Sequence, residues 1–179
     1  MLTIPNLVSL ARLALIPVFV WLLFGRDDVA WAGWLLAFIA ATDWIDGYLA
    51  RRLNQVSELG KLLDPVADRL AVVVAVIGGW AKGVLPWWFC VALLVREALI
   101  AVGALVVGLK AGSKLAVRPL GKLSTLLLYA AIAWFYIGTG APLDPLVWAA
   151  WAVGIPGLIL YWYVGFQYFA DARRLVASQ

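Results

Sequence analysis

The chain is a succession of apolar runs separated by short polar breaks. Each run is close to the roughly 20 residues that a helix needs to cross a bilayer. Hydrocarbon offers no water to the backbone, so only helices and closed barrels can span it. Strict apolar–polar alternation is absent, which argues against a barrel. With 65% hydrophobic and 13% charged residues, the chain also lies far outside the range of soluble domains. The expected fold is therefore all-α, a polytopic membrane protein built as a six-transmembrane-helix bundle.

The six spans are expected at roughly 7–24, 30–47, 63–81, 86–108, 122–140 and 146–168. Breaks fall at GRDD, at the Arg51–Lys61 segment, at AKGVLP, at KAGSKLAVRPLGK and at TGAPLDP. No repeat or linker divides the runs, so residues 1–179 read as one domain. The first run reads as a retained span, because MLTIPN carries no positive charge and no small-residue cleavage site follows.

Loop cations set the orientation. One set of loops and the C-terminal tail carries nine, Arg51, Arg52 and Lys61 among them, and the opposite set carries only Arg26 and Lys82. By the positive-inside rule both termini face the cytoplasm, in a cell membrane. Trp21, Trp31, Trp34, Trp80, Trp87, Trp88, Trp148 and Trp151 fall near the opposite ends and read as an interfacial aromatic belt. The net charge of +4 then reflects topology and anionic headgroups, not a nucleic-acid partner.

Against this background the stretch DWIDGYLARRLNQVSELGKLLDPVADR is unusual. Asp43 and Asp46 are three apart and Asp64 and Asp68 four apart, so each pair shares a helix face at what look like helix ends. A short loop joins the two spans, which lets four carboxylates converge. Such a cluster is tolerable with about two divalent cations, a common device for displacement at phosphorus. The chain has no histidine, so any metal must be held by oxygen, which favours Mg²⁺ or Mn²⁺. Gly47 lets a phosphate approach the backbone, Arg51 lies one turn on with the reach for a diphosphate, and Gly60 offers a second uncrowded position. One aspartate so placed reads as an interfacial charge; four at helical spacing on adjoining spans do not. A proton or ion carrier would explain the acids but neither the glycines nor Arg51. Cys90, the single cysteine, reads as an inert packing residue.

Read in order, Asp43-x2-Asp46-Gly47-x2-Ala50-Arg51-x8-Gly60-x3-Asp64-x3-Asp68 resembles the signature of the CDP-alcohol phosphatidyltransferases at all eight fixed positions. The resemblance implies transfer of a phosphatidyl group from CDP-diacylglycerol to an alcohol, with release of CMP. It implies that Asp43, Asp46 and Asp64 hold two divalent cations with Asp68 near them, and that Asp68 is the general base. Gly47, Ala50, Arg51 and Gly60 would line the CDP site, and a homodimer is expected. Membrane prenyltransferases also use aspartate-rich motifs, but spread across a larger bundle; here all four aspartates fall within 26 residues.

The remaining polar residues bear on the acceptor. Ser9 and Arg12 are placed to touch the nucleotide, or Arg12 to snorkel to the membrane surface. Arg96 is a candidate for an acceptor phosphate, or with Glu97 part of a buried ion pair, and Arg118 with Lys122 forms a second phosphate candidate. The opening IPNLVSLARLALIP resembles the phosphatidylglycerophosphate synthase and cardiolipin synthase branch, so glycerol 3-phosphate is the expected acceptor and phosphatidylglycerol the alternative. Inositol phosphate is a weaker option. The second arginine that the glycerol-phosphate enzymes tend to carry after the Arg96–Glu97 pair is missing from AVGALVV.

Overall fold

The computed structural model describes residues 4–53, 58–111 and 119–177, with side chains at 10–42, 67–103, 105 and 119–170. Six α-helices and no strands occur among them: α1 (Ile4–Val20), α2 (Val29–Leu53), α3 (Glu58–Ala81), α4 (Trp87–Ala111), α5 (Pro119–Gly140) and α6 (Asp144–Ala177). Most run past the apolar spans expected from sequence. Asp43 and Asp46 consequently lie inside α2, and Asp64 and Asp68 inside α3, not at helix ends. Hydropathy stops where charges begin, but the helical ladder continues into polar sequence.

Beyond Val20, α1 winds on into a wider π-helical turn, Trp21–Gly25, where the Arg26 N–H donates to the Trp21 carbonyl at 2.9 Å. The α1–α2, α3–α4 and α5–α6 turns share one end of the bundle. Lys82 bridges to Asp27 at 2.5 Å, joining the first two turns. Gly140 packs so tightly on α2 that an added Cβ would stand 2.2 Å from the Ala30 nitrogen. Asp28 accepts from the Trp31 N–H at 3.2 Å, capping α2. Gly83, at φ +69°, closes α3 in the left-handed conformation that favours glycine.

Inside, α5 packs on α6, α2 and α3, while α1 lies against α3 and α2, and α4 against α6 and α3. The α2–α5 crossing is a backbone approach: a Cβ on Gly33 would meet the Ile137 nitrogen at 2.8 Å. An aromatic cluster ties α4, α5 and α6, with Phe135 edge-on to Trp151 at 4.8 Å and Trp88 stacked on Trp151 at 5.6 Å. Trp151 is therefore partly buried against the core, while Trp21, Trp31, Trp34, Trp80, Trp87, Trp88 and Trp148 are exposed.

A second link joins α5 to α3. The Tyr136 hydroxyl donates to the Ala75 carbonyl at 2.6 Å, and the Tyr129 hydroxyl to the Asp68 carbonyl at 3.0 Å. The donors are seven residues apart and so are the acceptors, so two parallel helices meet in matched register. The outer surface is apolar, with Phe38, Val102, Leu105, Ile159 and Phe166 exposed. Among the described residues, Pro119–Gly140 and Asp144–Ala170 are long and apolar enough to cross a membrane.

Candidate active site around Asp68

The signature residues lie on consecutive helices. Asp43, Asp46, Gly47, Ala50 and Arg51 are on α2, and Gly60, Asp64 and Asp68 on α3, with residues 54–57 between. Of the four aspartates, only Asp68 has a described side chain; those of Asp43, Asp46, Asp64, Ala50, Arg51 and Ser9, and all of Arg118, lie outside the described residues. No group of three or more metal-ligating side chains occurs among the described residues.

Around Asp68 the description is detailed. Its carboxylate, 35% exposed, pairs with the guanidinium of Arg12 on α1, which is 4% exposed. Arg12 thus reaches into the bundle towards the signature carboxylate and does not snorkel to the surface. A charged group so buried needs a partner of opposite sign, and Asp68 supplies it. Tyr129 holds the main chain of Asp68 from α5.

The next residue along α3 opens a second cluster. Arg69 donates to Glu97 Oε2 on α4 at 3.1 Å, and Arg96 donates to Glu97 Oε1 at 3.0 Å. The Tyr161 hydroxyl on α6 donates to the same Oε1. Arg96 lies 3.6 Å over the Tyr161 ring, a cation–π contact in a largely dry setting. Gly165, one turn beyond Tyr161, leaves the space: a Cβ there would be 3.4 Å from Arg96 Nε. Arg96 and Glu97 therefore form a buried ion pair that extends to α3 and α6. Lys122 is exposed near the start of α5, and no described contact ties it to Arg96.

Sequence reasoning did not find Tyr129 or Tyr161, gave Arg69 no role, and did not find the partner of Arg12. The Tyr-x6-Tyr spacing of 129 and 136 was a usable signal, because two hydroxyls on one face of an apolar helix need acceptors on a neighbour.

Comparison with known proteins places this arrangement. The model of the CDP-alcohol phosphatidyltransferase family matches residues 2–162. The chain belongs to that family. A protein of Streptomyces coelicolor named cardiolipin synthase (CMP-forming) is 38% identical over 184 residues, covering 99% of this chain and 86% of its own. A Bacillus subtilis protein named CDP-diacylglycerol--glycerol-3-phosphate 3-phosphatidyltransferase is 38% identical over 139 residues, covering 70% of this chain and 72% of its own. As a CDP-alcohol phosphatidyltransferase with membrane-length apolar helices, this is a membrane enzyme of phospholipid biosynthesis.

Proposed function

We infer that this phosphatidyltransferase uses CDP-diacylglycerol as donor and phosphatidylglycerol as acceptor, forming cardiolipin and CMP. The acceptor oxygen forms a bond to the phosphatidyl phosphorus as the phosphoanhydride bond to CMP breaks, and Asp68 takes the hydroxyl proton. Asp68 suits this part because Arg12 and Tyr129 fix its side chain and main chain from two helices. We further read the six helices as six spans of the cell membrane, with both termini cytoplasmic and the enzyme a homodimer.

Two divalent cations belong to this reading. The donor set fits them: Asp43, Asp46, Asp64 and Asp68 are all hard carboxylates, and Asp68 on α3 keeps a partly exposed carboxylate one helical turn from Asp64. Bound there, Mg²⁺ or Mn²⁺ would neutralise charge that develops on the transferring phosphate. Gly47, Ala50, Arg51, Gly60 and Ser9 would receive the CDP moiety.

The observation that carries the acceptor choice is Arg96. Its guanidinium is buried, hydrogen-bonded to Glu97 and stacked on Tyr161, so it is already engaged within the protein. A small doubly charged acceptor such as glycerol 3-phosphate calls for cations that turn to meet it, whereas phosphatidylglycerol brings a singly charged phosphodiester and acyl chains that stay in lipid. The Streptomyces relative, matched across nearly the whole chain, supports this. The Bacillus relative keeps glycerol 3-phosphate as the second reading, with Arg118 and Lys122 as its phosphate ligands.

The test is CMP release from CDP-diacylglycerol by purified protein with Mg²⁺ or Mn²⁺, comparing phosphatidylglycerol, glycerol 3-phosphate and inositol 1-phosphate. Release that requires phosphatidylglycerol is the expected result. Release that requires glycerol 3-phosphate selects the second reading.

A further inference from the structure

Glu97 gathers more charge than packing alone explains. Its carboxylate, 12% exposed, accepts from Arg69 on α3, Arg96 on α4 and Tyr161 on α6. A buried ion cluster rarely stabilises a fold more than well-packed apolar residues of the same volume, so its benefit lies elsewhere. Position supplies a reason. Arg69 is covalently next to Asp68, and the Asp68 carbonyl is held by Tyr129. The main chain at residues 68–69 is therefore gripped from α5 on one side and, through Arg69 and Glu97, from α4 and α6 on the other.

The geometry points to Glu97 as a positioning residue that aims the Asp68 carboxylate through Arg69, with Arg96 and Tyr161 holding Glu97 in place. This inference rests on the proposed phosphatidyl transfer and adds a role to it. The two oxygens of Glu97 do separate work. Oε1 takes Arg96 and Tyr161, while Oε2 takes Arg69 alone. A Glu97→Gln change can keep the Oε1 contacts and turn an amide N–H₂ towards Arg69, which cuts the arm to α3 and spares the anchor. Arg69 is 43% exposed, so changes there remove the arm from the other end with little cost to folding.

The experiment measures CMP release by wild type, Glu97→Gln, Arg69→Gln, the double variant and Arg69→Lys. Rates are referred to monodisperse protein, and thermal unfolding in detergent is followed in parallel. A general base displaced by about an ångström loses on the order of 10² in rate. Each single Gln variant is therefore expected to lose about 10-fold or more in kcat, with KM for donor and acceptor within about twofold. The double variant should be no worse than the poorer single one, because both changes cut the same link. Arg69→Lys should recover most of the loss. The inference is overturned if folded single variants keep wild-type kcat and only the unfolding midpoint falls, if losses multiply in the double variant, or if KM rises at constant kcat. A wild-type protein that releases no CMP with any acceptor overturns the proposed reaction itself, and this role with it.

Discussion

Arg12 on α1 and Asp68 on α3 form an ion pair between helices whose partners lie 56 residues apart in sequence. The pair joins the first helix to one of the two helices that carry the signature aspartates. It also means that the carboxylate expected to act as base is oriented by a side chain outside the family signature.

Arg12→Gln should therefore impair catalysis more than folding. Removing one member of a fully buried pair costs about 3–5 kcal/mol, but Asp68 is partly exposed and water can take over some of the role. The expected loss of stability is about 1–3 kcal/mol. The rate of CMP release should fall about 10-fold to 100-fold, because the base loses its orientation. Steady-state kinetics beside detergent unfolding curves check both parts.

Asp68→Asn keeps shape and removes the proton acceptor. Transfer should drop by about 10² to 10⁴, while size-exclusion behaviour and helical content stay as in wild type. Chelation of divalent cations should abolish release in the parent enzyme, and Mg²⁺ or Mn²⁺ should restore it. Calorimetric titration of Mn²⁺ into Asp64→Asn, without substrate, should show weakened metal binding independently of turnover.

The two tyrosines of α5 allow a matched comparison. Tyr136→Phe removes one buried hydrogen bond and should cost about 1 kcal/mol of stability with wild-type kcat. Tyr129→Phe removes the equivalent bond at Asp68 and should lower kcat as well. Equal effects of the two variants on kcat would separate the Asp68 carbonyl bond from catalysis.

Gly33→Ala places a methyl group 2.8 Å from the Ile137 nitrogen, where backbone cannot yield as a side chain tip does. Overpacking of this kind costs about 1–3 kcal/mol. Because α2 also carries Asp43 and Asp46, parting α2 from α5 should reduce activity along with the thermal midpoint. A midpoint equal to wild type would count against the close crossing.

The helices were legible because apolar runs of membrane length admit little else, and the breaks at Gly83 and Asp28 fall where glycine and an aspartate cap stop or start a helix. Their polar extensions were not, since Asp43 to Leu53 is charged sequence continuing a helix begun in apolar sequence. The wide turn at Trp21–Gly25 left no mark in the residues themselves. At the site, spacing alone put Asp64 and Asp68 on one face. The dipeptide Arg96–Glu97 also announced an ion pair. The reach of Arg12 to Asp68, and of Arg69 and Tyr161 to Glu97, depends on which helices become neighbours. No local pattern encodes that.

The matched pair of tyrosine bonds has a mechanical consequence. A helix held at one rung can still slide or roll; held at two rungs a heptad apart, it must break both bonds together to move. Along this seam α3 behaves as a keyed shaft on α5, so the stretch that carries Asp68 keeps its height relative to α5. Any rearrangement that leaves both bonds intact must therefore move the other helices about this pair.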